Sequence, residues 1–166
     1  VQRTSFKNMR CSLAQALELI GDWWTPLILR DVFLGLHRFD EVVENLGISR
    51  NLLARRLAML ATHKIIARKV YSRRPVRYEY RLTAAGEELV PILVALTAWG
   101  DRWSAPPGGA AIEFVHTACG HRFAPSIVCS QCGEEIDAAT TVGAARPGAK
   151  SGPGVTVIAR KLAQAT

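Results

Sequence analysis

Apolar positions recur at helical intervals through the first hundred residues, and the breaks between the runs carry residues that end helices. Leu13, Ala16, Leu17 and Ile20 share one face of a helix predicted over 12–20 and stopped by Gly21. Thr25-Pro26 opens a second helix that runs through Leu34 to Gly35. A threonine can cap exposed N–H groups, and a proline in the first turn lacks only an N–H that would be unpaired anyway. Asp40 is expected to cap a short third helix over 41–46, closed by Gly47. Ser49 is expected to cap a fourth, with Leu53, Leu57 and Leu60 on one face and Asn51, Arg55 and Ala58 on the other. One side of that helix is core; the other is polar, with a small residue that permits close approach to a surface.

The period then changes to two. Val76, Tyr78, Tyr80 and Leu82 alternate with Arg77, Glu79 and Arg81, which predicts a strand, and 66–71 is its expected hairpin partner. The turn between them, Ser72-Arg73-Arg74-Pro75, is basic and should protrude. From Thr83 a helical pattern runs to about Trp103. Leu89, Leu93, Leu96 and Trp103 form its stripe, with Ile92 and Trp99 beside it, and Pro91 should kink or restart the helix.

Charge sharpens this picture. The net charge is +7, yet the stretch from Ser49 to Arg81 holds ten basic residues against Glu79 alone, a local +9. A concentrated basic patch is the electrostatic footprint of a polyanion partner. It coincides with the fourth helix and the hairpin. A helix of ordinary diameter fits the major groove, and a basic hairpin tip beside it reaches phosphates. The order helix, glycine turn, capped helix and basic hairpin therefore reads as a winged helix-turn-helix: a mainly α fold with a β-hairpin wing. Asn51 and Arg55 are expected at base edges, and Ser49, Arg50, Arg73, Arg74 and Arg77 nearer phosphates.

Cys11 followed by LAQALELIGDWWTPLILRDVFLG (13–35), HRFDEVVENLGISRNLLARRLAML (37–60), RYEYRLTAAGEEL (77–89) and Trp99-Gly100 resembles the HxlR-type regulators, relatives of the MarR winged-helix proteins. The resemblance covers about residues 9–103. It implies a dimeric cytoplasmic DNA-binding protein, with the helix at 49–60 in the major groove and the 72–75 turn as the wing tip. It also implies dimerisation through the N-terminal helix and the helix near 84–103. Many members are repressors that answer to small or electrophilic molecules, and some sense through a cysteine at the place of Cys11. Taken by itself, Cys11 is either a small buried apolar residue or a sensor thiol whose thiolate the helix dipole, Lys7 and Arg10 would favour.

Beyond 103 the composition changes. Residues 104–110, SAPPGGA, form a linker that no helix can cross, and 142–154 is rich in Gly, Ala and Pro. The expected organisation is 1–103 for DNA binding and dimerisation, 104–110 as linker, 111–140 as a small zinc-ribbon-like module and 141–166 as a flexible tail. Within the module His116-x2-Cys119-Gly120 is echoed, with nine residues between Cys119 and Cys129, by Cys129-x2-Cys132-Gly133. Two such turns suit a tetrahedral zinc ion with four protein ligands and no open position, which is a structural site. His121 rivals His116 as the fourth ligand, and His116 is preferred because it makes the halves equivalent. A disulfide or free thiols are the plainer alternatives; in a reducing compartment Cys-x2-Cys favours metal or redox chemistry.

The basic, polar first ten residues do not read as a signal peptide, and no run of apolar residues is long enough for a membrane span, so a cytoplasmic protein is expected. There is no nucleophile–base pair, phosphate loop or open metal site to suggest an enzyme. The function expected is a sequence-specific DNA-binding regulator, a repressor, dimeric on a pseudo-palindromic duplex and responsive to an oxidant or small electrophile through Cys11. The alternative is a zinc-stabilised protein-interaction module on a winged-helix scaffold.

Overall fold

The computed structural model describes residues 5–164; the outermost positions of the expected 1–103 domain and 141–166 tail, 1–4 and 165–166, lie outside the described residues. The chain divides into two compact units, one from Trp24 to Ile127 and the other made of residues up to Trp23 with those from Val128 onward. These divisions fall at 23/24 and 127/128, not at the 104–110 stretch that composition marks. Among the described residues, no helix is long and apolar enough to cross a membrane.

The larger unit holds the element order expected from periodicity. α2 (Thr25–Phe33), α3 (Phe39–Leu46) and α4 (Arg50–Thr62) lead into an antiparallel hairpin of β1 (Ile66–Arg73) and β2 (Val76–Leu82). Its core is apolar: Ile28, Leu29 and Val32 from α2, Val42 from α3, Leu53, Leu57 and Leu60 from α4, and Ile65 and Ile66 at the foot of the hairpin are all buried. Each such side chain contributes about 1.5–3 kcal/mol relative to leaving it in water. One charge is buried with them. Asp31 accepts from Arg30 Nη2 at 2.7 Å and, through its other oxygen, from Asn45 Nδ2 at 2.8 Å, so it ties α2 to α3.

Three local details differ from the sequence expectation. α3 begins at Phe39 with Arg38 as its cap position, whose N–H donates to Glu41 at 2.8 Å; Asp40 lies in the first turn instead of capping it. The N-cap of α2 is Trp24, and Thr25 is already helical and buried, with Pro26 in the first turn as expected. β1 extends to Arg73, which pairs with Val76, so the wing turns at Arg74-Pro75 and Arg73 belongs to a strand. A register shift between Val70 and Ser72 absorbs the extra length, a bulge that the alternation in sequence does not display.

Beyond the hairpin, Thr83 caps α5 (Ala84–Glu87), accepting from the Gly86 N–H. Gly86 packs so closely that a Cβ there would stand 2.2 Å from the Ile65 carbonyl oxygen; only glycine lets this turn dock on the hairpin's foot. The helical pattern then restarts as α6 (Val90–Trp103), with Pro91 in its first turn. Val94 faces the core, while Ile92, Leu96, Trp99 and Trp103 are exposed. Leu89 and Leu93 are half-buried, so the exposed stripe runs through Ile92 and Trp99, not through the two leucines.

In the other unit, α1 (Ser12–Ile20) matches its predicted span. The segment before it is fastened back on the helix: Gln15 Nε2 donates to the Phe6, Lys7 and Met9 carbonyls, and the Phe6 N–H donates to Glu18. The tail, expected to be flexible, carries a helix, α7 (Thr156–Gln164), and the Arg10 N–H donates to the Pro153 carbonyl at 2.8 Å. Composition rich in Gly and Pro marks 142–154 as irregular but carries no sign of this long-range bond.

Candidate nucleic-acid interface

The interface is built on α4. Ser49 caps it, its Oγ accepting from the Leu52 N–H at 3.4 Å, which fixes where the helix starts. Leu53, Leu57 and Leu60 lock one face into the core, and the opposite face presents Asn51, Arg55 and Ala58 to solvent. Both faces are readable from sequence because a rigid helix leaves no other placement for residues at these spacings.

The wing supplies the second part. Arg73, Arg74 and Arg77 are exposed around its turn, where the Ser72 hydroxyl donates to the Pro75 carbonyl at 2.9 Å and holds the loop closed. Val76 and Val70 are exposed as well, because the tip extends past anything it could pack against. At its base the wing is anchored: the Tyr80 N–H donates to the His37 carbonyl at 2.8 Å, and Arg38 bridges to Glu79, so the segment entering α3 joins the hairpin edge. Burial of Tyr80 raises its phenol pKa above the ordinary value, with Arg68 opposing the shift.

Arg50 is less simply placed than its sequence position suggests. Its guanidinium pairs with Asp40 at 2.7 Å and lies 5.0 Å from the Phe39 ring centroid. Asp40, expected as a cap, is therefore the anionic neighbour of an expected phosphate contact. Two further basic residues, not singled out from sequence, lie over tyrosines of the wing strands. Arg38 lies over Tyr71 at 5.0 Å and Arg68 over Tyr78 at 4.8 Å. Strand alternation could have placed Arg68 near Tyr78; the Arg38–Tyr71 contact joins distant segments and has no local signal.

Cys11 is the N-cap residue of α1, half-buried, and its side chain makes no capping hydrogen bond. The four other expected ligand positions come as two turns. His116 Nδ1 lies 3.4 Å from Cys119 Sγ, on a short hairpin of β3 (Val115–His116) and β4 (His121–Arg122) that pairs His116 with His121. Cys129 and Cys132 share a turn in which the Gln131 N–H donates to Cys129 Sγ at 3.5 Å. The Gln131 and Cys132 backbone N–H groups hold the Cys129 thiol below its ordinary pKa. All four cysteines are free thiols, and no three His, Cys, Asp or Glu side chains among the described residues stand together at metal-holding distance.

A capped helix with one polar exposed face, packed beside a basic two-stranded wing, defines a winged helix-turn-helix DNA-binding domain. Residues 19–107 match the HxlR-like helix-turn-helix family, and the chain belongs to that family: it is a DNA-binding transcriptional regulator. An uncharacterised HTH-type transcriptional regulator of Mycobacterium tuberculosis is 44% identical over 140 residues, covering 84% of this chain and 89% of the relative. The crystal structure of PA1607, described as a candidate transcription factor, superposes with a TM-score of 0.74 at 35% identity over 85% of this chain and 99% of that one. The redox regulator HypR in its reduced form matches with a TM-score of 0.52 at 29% identity, over 55% of this chain and 92% of its own.

Proposed function

We propose that this regulator acts as a homodimeric repressor that seats α4 in the major groove of each half of a pseudo-palindromic operator and rests its wing on the flanking backbone. One observation carries this reading: the solvent face of α4 bears Asn51 and Arg55, and the wing beside it bears Arg73, Arg74 and Arg77, all exposed. Asn51 suits adenine and Arg55 suits guanine, each through paired hydrogen bonds in the major groove. Ser49 and Arg50, at the N-terminal end of α4, suit phosphates, as do the wing arginines.

Dimerisation supplies the second half-site. The exposed stripe Ile92, Leu96, Trp99 and Trp103 on α6 is too apolar to be left in water, and a second copy that covers it removes that cost. Cys11, half-buried at the N-cap of α1, is the proposed thiol for an oxidant or small electrophile, and likeness to a redox regulator supports that role. A small zinc-stabilised module in 111–140 and action in the cytoplasm belong to the same reading.

Selection of bound duplexes from a random pool, followed by hydroxyl-radical footprinting, tests the reading. Two protected segments related by a two-fold axis and one helical turn apart are expected. A single asymmetric footprint, or no enriched sequence, overturns it.

A further inference from the structure

An open cleft of about 620 Å³ lies in the unit that joins the two ends of the chain. Its walls come from Arg10, the loop 144–151 and α7, all within that unit. Two Pro-Gly turns shape it. In the first, the Arg146 carbonyl accepts from the Ala149 N–H at 3.0 Å across Pro147-Gly148, with Gly148 left-handed at φ 71°. In the second, the Gly152 carbonyl accepts from the Val155 N–H at 3.1 Å across Pro153-Gly154, with Gly154 at φ 84°. Proline followed by a left-handed glycine is the order a type II turn demands. The Thr156 hydroxyl donates to the same Gly152 carbonyl at 2.8 Å, so the second turn leads directly into α7.

The floor of the cleft is apolar. Val155, just ahead of α7, and Ala159 and Leu162 on it are half-buried at steps of four and three, which puts them on one helical face. Ala145 and Ala149 of the loop line the same space, and their small side chains leave its volume open.

The charges around that floor all have one sign. Arg146 and Lys150 come from the loop, Arg160 from α7 and Arg10 from the N-terminal segment, and all four are exposed. Arg10 is held in place: its N–H donates to the Pro153 carbonyl at 2.8 Å, and its stem runs over Gly152, where a Cβ would stand 2.6 Å from Arg10 Cδ. Among the described residues no carboxylate lines the cleft and none pairs with any of these four cations. The sequence from 141 to 166 contains no Asp or Glu. A cleft lined by one sign of charge over low-dielectric walls focuses its field on an incoming counter-ion.

We propose that this cleft binds a small amphipathic anion, a carboxylate on an apolar body of about ten non-hydrogen atoms. Guanidinium forks hold a carboxylate through paired, charge-assisted hydrogen bonds, and the Val155, Ala159 and Leu162 face takes the apolar body. A nucleic-acid backbone fits these observations less well, because phosphates call for a track of cations and make no use of an apolar floor. The proposal goes beyond DNA reading, which belongs to the unit that carries α4 and the wing. Arg10 directly precedes Cys11, so an occupied cleft fastens the segment that leads into α1.

Isothermal titration of the full-length protein with sodium decanoate tests this. One decanoate per chain is expected. Acetate, which has the head alone, and decyltrimethylammonium, which has the tail with the opposite charge, should each bind at least about tenfold more weakly. A variant with both Arg146→Gln and Arg160→Gln removes charge from exposed positions and should lose at least about tenfold in decanoate affinity. Ala159→Phe, which fills the floor, should weaken decanoate as well. Absence of decanoate binding at millimolar concentration, or binding that both variants leave undiminished, overturns the proposal. Equal affinity for decyltrimethylammonium overturns it too, since the cations would then play no part. Displacement of decanoate by an unrelated DNA duplex, with affinity for that duplex falling in the double arginine variant, would give the cations to nucleic acid and overturn it.

Discussion

Arg50 and Asp40 meet across the helix-turn-helix at 2.7 Å, so one of the cations at the head of the DNA-reading helix is partly neutralised before DNA arrives. Both side chains are largely exposed, at 65% and 74%, and such a pair adds little stability. In the proposed binding mode its effect is on binding: a phosphate must compete with the Asp40 carboxylate for the guanidinium, and the carboxylate itself repels the duplex. Asp40→Asn should therefore tighten binding to all duplexes and raise the magnitude of the salt slope by about 1, while thermal stability changes by no more than about 0.5 kcal/mol. Fluorescence anisotropy at several salt concentrations reads the first effect and chemical denaturation the second; weaker binding by the variant would mean that Asp40 positions Arg50 instead of competing for it.

Arg55 and the wing should separate specificity from affinity. In the proposed binding mode Arg55→Ala removes a base-edge contact, so discrimination between the selected operator and a duplex altered at one position should fall by about 1–3 kcal/mol. Because Arg55 is exposed and Leu53 and Leu57 beside it keep the helix packed, folding stability should be nearly unchanged. An equal loss of affinity for every sequence would move Arg55 to the phosphate class.

The helices of the larger unit and the two faces of α4 were legible because a 3.6-residue period, once pinned by Ser49 and Gly47, places every side chain on it. The exposed Asn51 and Arg55 and the buried Leu53, Leu57 and Leu60 follow from that alone. What stayed hidden depends on pairing between distant segments. The extension of β1 to Arg73 comes from a bulge near Tyr71, and the Arg38–Tyr71 contact joins the start of α3 to the wing. The bond from Arg10 to Pro153 links the two ends of the chain and leaves no trace in either local sequence. Asp40 departs from its expected capping place because aspartate suits both caps and first turns, and here the Glu41 carboxylate accepts the Arg38 N–H, which starts the helix at Phe39 and leaves Asp40 in the first turn.

The stripe on α6 predicts the oligomeric state. Light scattering at micromolar concentration should give about twice the chain mass of 18.1 kDa. Trp99→Glu, at a position 59% exposed in the single chain, should yield a folded monomer with weakened operator binding. A dimer that survives this substitution undiminished would place the interface elsewhere.

Cys11 predicts a redox response that can be isolated. Diamide or a quinone should release the wild-type protein from its operator, and Cys11→Ser should remain bound under the same treatment. The other cysteines, at 119, 129 and 132, are present in both proteins and serve as the internal control. Equal release of the two proteins would return Cys11 to a packing role.

The central claim is that α4 and the basic wing bind DNA together, and the salt dependence of affinity for the selected operator tests it most directly. Between about 50 and 200 mM salt, log K should fall linearly with log salt, with a slope of about −0.9 for each phosphate neutralised. A variant with both Arg73→Ala and Arg74→Ala should weaken binding to operator and unrelated duplex alike and flatten the slope by about 1 for each phosphate that no longer meets an arginine. Affinity that does not respond to salt, or a slope that the wing variant leaves unchanged, would contradict the account.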